Sequence, residues 1–96
     1  MRNYEIMYIL KADLDEAARK EKMESLAKIL TDKGATVDGT DESLGLRELA
    51  YPIKDETKGY YVVLKVTMDK VAIDEFNRLV RIDSSVLRHL ITVAHE

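Results

Sequence analysis

Gly59-Tyr60-Tyr61-Val62-Val63-Leu64-Lys65-Val66-Thr67-Met68 is the stretch from which the fold can be built. Tyr60, Val62, Leu64, Val66 and Met68 form one alternating set, and Tyr61, Val63, Lys65 and Thr67 form the other. Period-two alternation sends the two sets to opposite sides of a sheet, so this is a strand with one buried face.

Working outward, residues 35 to 51 read as a longer, weaker strand, polar at first and apolar by Leu44, Leu46 and Leu49. Gly45 marks a bulge or bend in it, Pro52 ends it, and Lys54 to Lys58 form the loop before Gly59. Residues 3 to 10 are apolar on both alternating sets, the pattern of a central strand. Asp13 with Glu16 three positions on suggests a capping box. From there to Lys33, Leu14, Ala18, Met23, Leu26, Ala27 and Leu30 follow helical spacing, and Gly34 can take the left-handed conformation that ends a helix. Downstream of Met68, Asp69 can cap a shorter helix with Val71, Ala72, Phe76, Leu79 and Val80 on one side. A last strand covers about Val86 to Ala94.

Strand, helix, strand, strand, helix, strand is the order of a ferredoxin-like α+β domain spanning residues 1–96. Two right-handed crossovers and one hairpin give a four-stranded antiparallel sheet in the order 4-1-3-2, with both helices on one face. The open face is then expected to show Tyr61, Val63, Lys65 and Thr67 on the third strand. On the fourth it would show Val86, Arg88, Leu90 and Thr92.

Composition narrows the function. There is no Cys, which removes disulfides and thiolate chemistry together. No apolar run approaches the roughly 20 residues that span a bilayer, so no membrane is expected. Met1-Arg2-Asn3-Tyr4-Glu5 places an acid where a signal peptide needs an apolar run, and the cytoplasm is the expected compartment. The formal charge is −3, too acidic for a chain that holds nucleic acid unaided. The whole acidic excess lies between Gly34 and Lys58, where Asp38, Asp41, Glu42, Glu48, Asp55 and Glu56 face only Arg47, Lys54 and Lys58. That segment should point away from any RNA.

Enzymatic chemistry finds little support. His89 lies within the last strand and His95 at the tail, with no second ligand at metal spacing, so they read as a packing residue and a solvated one. The serines lack a glycine-flanked elbow, and no glycine-rich phosphate loop exists. Lys11-Ala12-Asp13 after the first strand is acidic and glycine-free, unlike the phosphate cradle of an acylphosphatase. No catalytic residue, cofactor, metal or small-molecule substrate is expected. Lys58-Gly59-Tyr60-Tyr61-Val62-Val63-Leu64-Lys65 begins like the third strand of an RNA-recognition domain, but Val62 and Lys65 stand where the stacking rings belong. Each lost platform removes about 1 to 3 kcal/mol per stacked base, so base recognition of that kind is excluded.

Leu44-Gly45-Leu46-Arg47-Glu48-Leu49-Ala50-Tyr51-Pro52-Ile53, with Gly59-Tyr60-Tyr61 after it, resembles the most characteristic stretch of the bacterial small-ribosomal-subunit protein six family. Met1-Arg2-Asn3-Tyr4-Glu5, Leu79-Val80-Arg81-Ile82-Asp83 and Val86-Leu87-Arg88-His89-Leu90 look like that family too. The resemblance covers essentially the whole chain. It implies a non-enzymatic constituent of the ribosome that packs on small-subunit ribosomal RNA as a heterodimer with ribosomal protein eighteen. It also implies RNA-facing roles for Arg2, Tyr4 and Arg88, and a partner side at Arg47, Leu49 and Tyr51. Glu48 departs from the basic or polar residue often found after Arg47, which argues against phosphate contact on that strand. Plainer roles stand beside these: Tyr4 buried with Ile6, Tyr8 and Leu10, and Arg47 paired with Glu48 or a hairpin acid. The other reading of the same fold is a regulatory or protein-interaction module that forms a homodimer through its sheet.

Overall fold

Helix and strand ends are set by a few local interactions that the computed structural model, which describes residues 1–94, makes explicit. The first strand, β1, is Arg2–Lys11, and the first helix, α1, is Glu16–Asp32. The cap of α1 is Asp15, two residues later than the Asp13 pattern suggests: its carboxylate accepts the Ala18 N–H at 2.7 Å. At the other end Gly34, at φ 86°, donates to Thr31 O while Ala35 N–H reaches back to Leu30 O, both at 3.1 Å. This pair of bonds is a Schellman motif, and it satisfies carbonyls the helix leaves open.

Strand β2 is Thr36–Ile53, β3 is Glu56–Met68, helix α2 is Lys70–Arg81 and β4 is Val86–Val93. The sheet order is β2-β3-β1-β4, which is the expected 4-1-3-2 read from the other edge. All three pairings are antiparallel: β1 meets β3 from Arg2↔Met68 to Lys11↔Gly59, and β4 from Tyr4↔Val93 to Leu10↔Val86. Past the end of β4, Ala94 N–H donates to Asn3 O at 2.9 Å. Asp69 sits at the N-cap of α2 as expected but makes no side-chain cap bond.

One side of the sheet carries the core. Ile6, Tyr8 and Leu10 of β1 and Val62, Leu64, Val66 and Met68 of β3 meet Leu26 and Leu30 of α1 and Ala72, Phe76 and Val80 of α2. Ala72, Phe76 and Val80 form a single i, i+4 row, so the apolar stripe of α2 is narrower than the sequence suggests. Leu79 is only half-buried and Val71 is 61% exposed.

Val86 joins this core instead of showing on the open face. The β1–β4 register jumps from Ile9↔Arg88 to Leu10↔Val86, and the extra residue, Leu87, turns Val86 to the helix side. Ile9 and Leu87 are buried too, yet stand outside the helix-side core.

The hairpin of β2 and β3 differs most from the sequence pattern. Lys54 and Asp55, at φ 49° and 64°, make a two-residue turn of the mirror-image type that matches strand twist, so the expected five-residue loop is strand up to the turn. Pro52 lies inside β2. An outer strand tolerates it because Pro52 falls between Glu48 and Ile53, where the register shifts and no β3 residue is paired with it. The β2–β3 register shifts between Asp41 and Gly45, where Gly45 has φ 58°, and again between Glu48 and Ile53. The hairpin end therefore runs beyond Lys11, where β1 stops.

Gly59 marks the point of overhang. A Cβ there would lie well inside contact distance of Ile9 Cγ2, and 3.4 Å from Leu49 Cδ2. Only a glycine lets the hairpin close down on β1 here.

Candidate functional site

Arg88 stands on the open face of β4, opposite Ile9. Its guanidinium donates through Nη1 to the Tyr51 hydroxyl and lies over the Tyr51 ring, 5.4 Å from the centroid. The two residues are 37 positions apart and belong to strands at opposite edges of the sheet. The overhanging hairpin bridges that span by curling toward the β4 side. Lys54 Nζ, at the hairpin tip, donates to Val86 O at 3.1 Å and braces it there. Tyr51 remains 54% exposed, so the outer side of the pair faces solvent. Beside it Met7, Ile9, Arg88 and Leu90 line a shallow depression. The family resemblance implies separate roles for Arg88 and Tyr51; the structure places them in contact.

Arg2 and Tyr4 lie elsewhere. Both sit opposite core residues, Met68 and Val66, so they belong to the helix-bearing side of the sheet. Tyr4 is half-buried against the core, while Arg2 is exposed. Ile9, the position opposite Arg88, lies seven positions along β1 from Arg2, a span of roughly 24 Å at the rise of an antiparallel strand. An RNA touching all three would have to pass around the sheet.

Among the described residues Arg47 pairs with neither Glu48 nor another hairpin acid. Its Nε donates to Leu44 O at 3.0 Å, closing the bulge around Gly45. Leu49 is half-buried above Gly59, and Leu44, Leu46 and Tyr51 present apolar surface on the same hairpin, with Leu46 57% exposed. The acids are organised as well. Asp41 accepts the Ser43 N–H at 2.8 Å, and hydrogen bonds from Ser43 hold its carboxyl below the usual value. Asp38 accepts from the Thr67 hydroxyl at 2.7 Å.

A second set of contacts has no sequence signature beyond Tyr60 belonging to the helix-facing set. Tyr60 donates to Glu42 Oε1 at 2.9 Å, which raises its pKa, and Arg19 of α1 lies 4.1 Å over its ring. These three side chains tie α1 to the β2 bulge. Lys22 bonds Asp83 at 2.7 Å and ties α1 to the turn before β4. Partial burial alone would raise the Asp83 carboxyl, but the Lys22 bond, the Ser85 N–H and the Lys22 charge together hold it below the usual range.

His89 packs edge-to-face on Phe76, with its Nε2 2.7 Å from Asn77 Oδ1. Burial, and then Arg81, push its pKa down. His95, expected to be a solvated tail residue, lies outside the described residues. Among the described residues no group of His, Asp or Glu could hold a metal ion, and no helix is long and apolar enough to cross a membrane.

The sequence model of the family described as Ribosomal protein S6 matches residues 3–93. The chain belongs to the ribosomal protein S6 family. Small ribosomal subunit protein bS6 of Halalkalibacterium halodurans is 49% identical over 96 residues, all of both chains. The bS6 protein of Shouchella clausii is also 49% identical, over 92 residues and 96% of each chain. A crystal structure of 30S ribosomal protein S6 from Thermotoga maritima superposes with a TM-score of 0.89 at 26% identity, covering 97% of this chain and 87% of that one. An S6 protein is a structural constituent of the small subunit, working in the bacterial cytoplasmic ribosome and not as an enzyme.

Proposed function

We propose that this S6 protein, acting as one domain over residues 1–96, binds small-subunit ribosomal RNA jointly with ribosomal protein eighteen. The observation that carries this is the division of the surface. Arg88 meets solvent on a sheet face away from the helices, while the acidic, apolar β2–β3 hairpin offers Leu46, Leu49 and Tyr51 along an outer strand. A basic protein is drawn to such a strand and an RNA is repelled by it. Arg47 stiffens that strand from within, through its bond to Leu44 O. Arg88 supplies a phosphate contact on the open face, and Arg2, with Tyr4 packed behind it, supplies one at the far end of β1. With a net charge of −3, the chain depends on its partner for most of the attraction to RNA.

The test is filter or fluorescence binding of the chain to small-subunit ribosomal RNA, with and without protein eighteen. Affinity should rise at least tenfold in the presence of the partner. Equal affinity in the two cases overturns the joint reading. Arg88→Ala should also flatten the slope of log affinity against log salt by about one unit.

A further inference from the structure

We propose that Tyr51 is a positioning residue for Arg88, and that through it a partner seated on the hairpin orders the arginine that meets RNA. The inference rests on the joint RNA reading and assigns it a physical link.

Arg88 has five N–H donors in a rigid plane, and Tyr51 takes only one of them, through Nη1. The plane is held over the Tyr51 ring as well. Bond and ring together fix the direction of the fork and leave its remaining donors free for phosphate. The acceptor is an uncharged hydroxyl. A carboxylate would orient the guanidinium equally well but would cancel the charge that attracts RNA, and Arg88 forms no ion pair among the described residues. Tyr51 itself is only as ordered as the hairpin that carries it. The end of that hairpin is held by Lys54 on Val86 O, Leu49 over Gly59, and the Tyr51–Arg88 pair. Of these, only the last reaches a side chain on the proposed RNA surface. A partner that immobilises β2 therefore immobilises Tyr51, and the entropy of ordering Arg88 is lost before RNA arrives.

Tyr51→Phe tests this, because it keeps the ring and removes the acceptor. In the free protein, NMR relaxation at Arg88 Nε should show a lower order parameter in Tyr51→Phe while the urea midpoint stays unchanged. With protein eighteen at saturating concentration, so that any change in partner affinity is compensated, affinity for small-subunit ribosomal RNA should fall three- to tenfold. In an Arg88→Ala background the Tyr51→Phe change should have no further effect on RNA. Unchanged Arg88 order, or an equal loss of RNA affinity in the Arg88→Ala background, overturns the positioning role and leaves the joint reading standing. If Arg88→Ala alone changes neither RNA affinity nor salt slope, the role of Arg88 in RNA binding is overturned and the role of Tyr51 with it.

Discussion

Replacing Gly59 by Ala should destabilise the protein through one steric conflict and loosen the hairpin with it. The added Cβ would meet Leu10 O at 3.5 Å and Leu49 Cδ2 at 3.4 Å, which are tolerable contacts. Ile9 Cγ2 is the obstacle, because it lies well inside the ~3.5 to 4.0 Å optimum for carbon pairs. That methyl is attached directly to a β-branched carbon, so it can move only by rotating χ1 or shifting backbone, and Ile9 is 4% exposed. Overpacking of this kind costs about 1 to 3 kcal/mol. Loss of unfolded-state freedom on replacing glycine returns about 0.4 to 1 kcal/mol. The net loss should be about 1 to 2 kcal/mol, which for a domain of this size lowers Tm by roughly 5 to 15 °C.

Ile9→Ala alone should cost about 2 to 5 kcal/mol as a cavity, but it also removes the obstructing methyl. Urea denaturation of both single variants and the double variant forms the assay. The double variant should be more stable than the sum of the two losses predicts, by at least about 1 kcal/mol. Additivity within about 0.5 kcal/mol would refute the contact as the reason for glycine at this position.

Gly34→Ala meets no neighbouring atom, so its cost is that of the left-handed backbone at φ 86°, about 1 to 2 kcal/mol by thermal melting. Asp15→Ala removes the carboxylate that caps α1 and should cost about 1 kcal/mol, whereas Asp13→Ala should leave the melting curve in place. Lys22→Met strands a carboxylate whose side chain is 20% exposed and should cost about 1 to 2 kcal/mol in urea at pH 7. Because the folded Asp83 pKa lies below its ordinary 3.8, the stability it adds is complete above that pH and is lost as pH falls through the folded value; the penalty of Lys22→Met should shrink there. His89 also has a folded pKa below its ordinary 6.5, so the unfolded chain takes up the proton first and stability falls as pH drops below about 6.5. His89→Gln should flatten urea midpoints measured between pH 7.5 and 5, and an unchanged slope would acquit His89.

The sheet was readable from the sequence because its two alternating sets differ so sharply in β3 and because residues 3 to 10 are apolar on both sides. Asp13 and Asp15 both precede α1, and spacing alone favours Asp13; the choice was made by where the chain leaves β1, which is tertiary. Pro52 reads as a strand end by composition alone, although the order 4-1-3-2 already puts β2 at the sheet edge, where proline is tolerated. Val86 changes sides because of one extra residue, Leu87, a shift that period-two reasoning cannot register. The position of Tyr4 was available from its phase with Ile6, Tyr8 and Leu10. The contact between Tyr51 and Arg88 was not, since it depends on how far a two-stranded ribbon twists once β1 no longer accompanies it.

The bond from Ala94 to Asn3, beyond the Tyr4↔Val93 pair, has a mechanical consequence. The start of β1 and the end of β4 lie side by side on antiparallel neighbours. Tension applied through the two ends of the chain therefore loads the ladder one rung at a time, like a zipper. A load carried in that direction would peel β4, an edge strand paired only with β1, away first and draw Arg88 off Tyr51 before the helices bore any of the force.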